Sequence, residues 1–79
     1  MKQLLEFLVK SIVEKPKKVE INENKQEGFT EYSIKVDPED IKIVIGKNGQ
    51  TIRAIRTLAK TKAIKQGKRI NVKLEEPKE

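Results

Sequence analysis

Val44-Ile45-Gly46-Lys47-Asn48-Gly49-Gln50-Thr51-Ile52-Arg53-Ala54-Ile55 is the stretch on which the reading turns. Two glycines three apart frame a polar tip, Lys47-Asn48, and an amphipathic run follows. Glycine has no Cβ, so backbone there can approach a ligand closely and take positive φ. From Gln50 to about Lys62, Ile52, Ile55, Leu58 and Ala59 recur at helical spacing, which predicts a helix opening at the loop. The first N–H groups of such a helix lack intrahelical partners, and its dipole favours an anion at that end. Lys47 adds a mobile positive charge, and Asn48 a donor and an acceptor. Together these features describe a phosphate cradle, although the spacing alone fits a plain turn between helices equally well. Two nucleotide loops do not fit. GxxxxGK[ST] needs Gly where Ile41 stands and Ser or Thr where Asn48 stands, and GxGxxG needs Gly in place of Val44.

The charge around this stretch is one-sided. Residues 1–40 hold seven basic and nine acidic residues, whereas 41–79 hold eleven and three, and Ile41 to Leu74 contains no acid. Mixed charge is a solvated face, but a one-sign run repels itself unless a counter-charge is present. Arg53, Arg56 and Lys60 fall within about 60° of one another on the helix after the loop, so an anionic backbone lying on the loop can continue along them. The whole chain has 79 residues and a net charge of +6, with no Cys, His or Trp. That length fits one small domain with a modest core. Without Cys or His there is no disulfide framework, no zinc site and no thiol or imidazole catalysis, so neither an enzyme nor a cofactor is expected. No apolar run approaches the ~20 residues of a membrane span. No signal peptide is legible either, so a cytoplasmic protein is expected.

Outward from the loop, residues 2–14 read as an amphipathic helix striped by Leu4, Leu5, Leu8, Val9, Ile12 and Val13, ended by Pro16. Its polar face mixes acids with lysines, which favours core packing over a membrane surface. Phe7 sits at the stripe's edge and is expected to pack on its own domain rather than serve an interface. Val19–Asn22 alternates as a strand, Glu23–Gly28 reads as a hairpin connection, and Phe29–Val36 as a second strand with Tyr32, Ile34 and Val36 on one face. Asp37-Pro38-Glu39-Asp40 is a helix start rather than a cation site, with Asp37 capping. Ile41–Ile45 is ambiguous, since β-branched residues prefer strands while the start signal says helix. Residues 63–68 read as a connection, and Arg69–Leu74 as a third strand with Ile70, Val72 and Leu74 inward. Residues 1–75 thus form one expected domain, and 76–79 an expected frayed tail.

The quoted stretch resembles the KH-domain core, V-I-G-x-x-G-x-x-I-x-x-I, at every fixed position. The resemblance implies that Ile41–Ile45 is a short helix. The order then becomes α-β-β-α-α-β, an α+β fold of the type II KH kind, with a three-stranded mixed sheet against three helices. Ala54-Ile55-Arg56-Thr57-Leu58 and the chain's extent further resemble the small bacterial KhpA/YlqC-type RNA-binding proteins. In KH domains the GxxG loop clamps about four single-stranded nucleotides beside an apolar groove. That implies Gly46, Lys47, Asn48 and Gly49 on phosphates and Ile43, Ile45 and Ile52 in the groove, with Arg53 and Arg56 extending the backbone track. Val44 and Ile55 are expected to face inward, while Ile34 and Val36 would line the groove's far wall or join the core. Phe7, Phe29 and Tyr32 are the only aromatics, too few for a stacking platform of the RRM or OB kind. Four nucleotides give weak binding, and multivalency compensates. The resemblance implies a homodimer or pairing with a Jag/KhpB-type RNA-binding protein. The expected function is single-stranded RNA binding as an adaptor or chaperone. A KH-fold protein-interaction module, or single-stranded DNA binding, is the alternative.

Overall fold

The computed structural model describes residues 1–75, so the expected tail at 76–79 lies outside the described residues. The elements are α1 (Lys2–Lys10), β1 (Glu20–Gln26), β2 (Phe29–Lys35), α2 (Ile41–Ile45), α3 (Gln50–Lys65) and β3 (Ile70–Leu74). Their order is α-β-β-α-α-β, and the arrangement is that of a type II KH fold. The sheet runs β1-β2-β3, with β2 antiparallel to β1 and parallel to β3. Ile41–Ile45 is helical despite its β propensity, because tertiary packing overrides propensity in so short a segment. Val44 anchors it, fully buried.

The core lies between the helices and one face of the sheet. Leu5 and Val9 of α1, Ile21 of β1, Tyr32 and Ile34 of β2, Val44, Ile52, Ile55 and Ala59 of the loop-flanking helices, and Val72 of β3 form one cluster. Ile70 and Leu74 pack against it from the same side as Val72, as alternation requires.

Several boundaries and faces differ from the sequence reading. β1 continues to Gln26, because pairing Gln26 with Phe29 leaves only Glu27-Gly28 as the turn, with Gly28 at φ 87°. α1 stops at Lys10, four residues early. The Glu14 and Lys15 N–H groups that a longer helix would use inwardly instead donate to the Asp40 carboxylate at 3.2 and 3.0 Å. α3 runs three residues longer than expected, to Lys65. Gly67 at φ 69° then closes it, with Lys68 N–H donating to Ala63 O at 2.8 Å and Gly67 N–H to Ile64 O at 3.0 Å.

Three side chains assigned to the buried faces reach solvent instead, Ile12 of the first stripe among them at 38% exposed. Phe7 does not pack on its own domain and is 69% exposed, since it sits about 160° around α1 from both Leu5 and Val9. Leu58 leaves the α3 core stripe and is 53% exposed, because it lies about 100° from the mean direction of Ile52, Ile55, Ala59 and Ala63.

Candidate nucleic-acid interface

The α2–α3 connection is built by three positive φ angles within four residues. Gly46 has φ 74° and ψ 175°, Asn48 φ 56° and ψ 27°, and Gly49 φ 74° and ψ 14°. Asn48 tolerates the left-handed region better than most residues do. Two backbone bonds close the turn, from Gly46 N–H to Lys42 O at 2.9 Å and from Gly49 N–H to Gly46 O at 3.2 Å. The two glycines are needed for different reasons. A Cβ on Gly46 would lie 2.1 Å from Thr51 Oγ1 and 2.9 Å from Thr51 N, so both the angle and the close approach of α3 exclude a side chain. Gly49 faces open space and is required by its φ alone.

The loop hands the chain to α3 with no side chain capping it and no acid in its first turn. The N–H groups at that end therefore face the loop without a side-chain acceptor, and the helix dipole adds partial positive charge there. Lys47 and Asn48 are exposed at the tip. Among the described residues, Lys47, Arg53, Arg56 and Lys60 make no ion pair. The local field is positive and uncompensated.

The acids nearest the loop along the chain are held at the opposite end of α2. Asp37 Oδ1 accepts from Glu39 N–H at 2.9 Å, the capping role expected of it. Lys15 Nζ lies 2.7 Å from Glu39 and 3.8 Å from Asp37, and these partners raise its pKa above the ordinary lysine value, the Glu39 hydrogen bond most. Asp40 is 1% exposed and committed to backbone N–H groups. Among the described residues no group of three or more potential ligands is placed to hold a metal.

The remaining sequence-derived residues sort by exposure. Ile43 is exposed and Ile45 half-buried beside the loop, while Ile52 is nearly sealed and belongs to the core cluster. Val44 and Ile55 face inward as expected, and Ile34 and Val36 join the core rather than a groove wall. Arg53 is exposed on α3. Arg56 leans across to the free edge of the sheet, where Nε donates to Val72 O at 3.1 Å. This contact joins residues 16 apart and stitches α3 to β3, so the strand beside the basic stripe is β3. No local pattern in the sequence signals it.

Known proteins match this chain over most of its described length. The sequence model of the KhpA/KhpB KH domain matches residues 2–74. The RNA-binding protein KhpA of Clostridium perfringens is 45% identical over 74 residues, covering 94% of this chain and 99% of that protein. The protein of the same name from Thermotoga maritima is 43% identical over 58 residues, 73% of this chain and 77% of that one. Among solved structures, Aquifex aeolicus Era Y63A bound to GDP·AlF4⁻ superposes with a TM-score of 0.59 at 20% identity. That match covers 95% of this chain but only 30% of Era, and at that identity it speaks to the fold alone.

Proposed function

The chain belongs to the KhpA/KhpB KH-domain family, and from that premise we propose that it binds single-stranded RNA through the Gly46–Gly49 loop. Lys47, Asn48 and the N–H groups at the head of α3 hold the phosphates, and Arg53 carries the backbone onward along α3. Ile43 and Ile45 offer the bases an aliphatic surface, and Ile52 supports it from beneath. Arg56 holds β3 alongside and presents its remaining guanidinium N–H groups to the strand. The observation that carries this reading is the loop itself. It is bent by three positive φ angles, pressed against Thr51 so that Gly46 admits no side chain, and set over a helix end that no side chain caps.

Phosphate contacts of this kind confer affinity and position without sequence information. The protein then acts as an RNA adaptor or chaperone in the cytoplasm, with residues 1–75 as its one KH unit. Weak binding to about four nucleotides is strengthened by a second site, supplied by another copy of the chain or by a KhpB-type partner. The exposed Phe7 supports such self-association. Sedimentation should show a dimer that Phe7→Ser weakens, and unchanged association would remove Phe7 from the interface.

The test of RNA binding is titration of short fluorescent single-stranded RNA across a salt series. Wild type is run beside a Lys47→Asp/Asn48→Asp double variant whose folding is checked by circular dichroism. Salt-sensitive binding by wild type that is lost in the folded variant is the expected result. Equal binding by the two proteins, or none by wild type, overturns the clamp. Matched DNA oligonucleotides in the same titration separate RNA from DNA preference.

A further inference from the structure

A second cleft, of about 620 Å³, opens at the far end of α3 from the loop. Phe29 at the start of β2, Ile64 on α3 and Ile70 on β3 line it, and Lys60, Lys68 and Arg69 rim it, with Glu27 as its carboxylate. Phe29 is 40% and Ile64 75% exposed, so the apolar lining meets solvent.

The cleft walls are built rather than loose. Lys68 N–H is tied to Ala63 O at 2.8 Å, and Arg69 O accepts from Thr30 N–H at 3.0 Å, which fixes the α3–β3 turn to β2. Preorganised walls lower the ordering cost of binding.

The cleft also continues the basic seam described above. Arg56 on α3 bonds Val72 on β3. One turn further along α3, Lys60 lines the cleft together with Asn71 and Ile70, and another turn on Ile64 does so with Arg69 and Lys68. As α3 advances from Arg56 to Ile64, β3 recedes from Val72 toward Arg69. The distance along α3 from Gln50 to Ile64 is about 21 Å. Four nucleotides at ~3.4 Å of stacked rise do not cover it, and about seven do.

We propose that this cleft takes an unpaired base of the same RNA strand that the loop clamps, stacked on Phe29 against Ile64, with its neighbouring phosphates at Lys60, Lys68 and Arg69. The proposal rests on the RNA-binding reading and adds a subsite beyond the four-nucleotide clamp. An aromatic face beside aliphatic carbon suits the π-face of any base, and three cations against one carboxylate suit a polyanion. An acidic peptide would satisfy the charges but would leave the continuity with the loop unexplained.

The test compares four- and eight-nucleotide single-stranded RNAs by fluorescence anisotropy. Wild type, Phe29→Ala, Ile64→Asp and the Lys47→Asp/Asn48→Asp variant are titrated, each checked for folding. Ile64 is so exposed that its variant is expected to fold even where Phe29→Ala does not. Each cleft variant should lose about tenfold in affinity for the eight-mer and none for the four-mer. Eight-mer binding equal to wild type in both cleft variants overturns the subsite and hands the cleft to another partner, while the loop reading still stands on its own variant. Eight-mer binding that survives the loop variant but falls in the cleft variants keeps the subsite and overturns the clamp. No RNA binding by wild type overturns both.

Discussion

Gly46 is the residue with the least freedom. Its φ of 74° and the 2.1 Å approach of Thr51 Oγ1 to a built Cβ mean that Gly46→Ala must distort either the loop or the start of α3. A urea melt should show a loss of about 2–3 kcal/mol, and RNA binding should fall with it. Gly49→Ala meets no atom, so its cost is the φ strain alone and should be about 1 kcal/mol. Asp40→Ala strips the acceptor from the Glu14 and Lys15 N–H groups and should cost about 1–3 kcal/mol by the same melt. Tyr32 offers a pH readout, being the only tyrosine in the chain. Burial first, and then its hydrogen bond to Glu23 at 3.1 Å, raise its pKa above the ordinary phenol value. The folded state therefore holds this proton more tightly than the unfolded state does. Stability is complete below the unfolded pKa of ~10 and is lost as pH rises through the folded value. Absorbance titration of the phenolate should show the raised midpoint, and Glu23→Gln should lower it.

α3 is the element that joins the sites. Its head carries the loop, its buried stripe of Ile52, Ile55, Ala59 and Ala63 fastens it to the core, and its tail walls the second cleft. The stop at its C-terminus is set by Gly67, which has φ 69° and open space around it. Gly67→Ala should therefore cost about 1 kcal/mol through strain, seen as a lower melting temperature, and should loosen Lys68 and Arg69. Arg56 is the lateral tie, and Arg56→Lys removes the Nε donor to Val72 O while keeping the charge. Its RNA affinity should fall more than charge retention allows, and its salt dependence should stay near that of wild type.

At the scale of the molecule, the separation of charge along the chain persists around the loop, while elsewhere Glu31 pairs with Lys73 at 3.8 Å and Glu27 shares the second cleft with Lys60, Lys68 and Arg69. The acids near α2 are engaged by Lys15 and by backbone N–H groups at one end, and the cations beside the loop and along α3 have no ion-pair partner among the described residues. For single strands the logarithm of affinity falls with the logarithm of salt concentration by about 0.7 per phosphate neutralised. Arg53→Gln should shallow that slope by about 0.7, whereas Lys18→Gln, on the far side of β1 in the chain, should leave it unchanged. A salt series on the two variants checks this.

The local features were legible in the sequence because their causes are local. Two glycines three apart, Asp37-Pro38 at a helix start, and alternation through Tyr32, Ile34 and Val36 each act within a few residues, and each appears in the structure. The helical state of Ile41–Ile45 was not decided by its own residues, since propensity and start signal disagreed until packing buried Val44. Other outcomes depended on contacts across the chain. Asp40 met Glu14 and Lys15 from 25 residues away or more, and Arg56 met Val72 across 16. Pairing with β2 carried the polar stretch Glu23–Gln26 into a strand. The exposure of Phe7 and Leu58 came from the narrowness of the buried stripes, which only the closed core defines. Sequence by itself determined the loop, the sign of the charge beside it and the order of the elements other than Ile41–Ile45, because backbone sterics and periodicity act over short range. Tertiary structure decided which apolar residues reach solvent and which strand flanks the basic stripe, because those depend on surfaces that exist only once distant segments have packed.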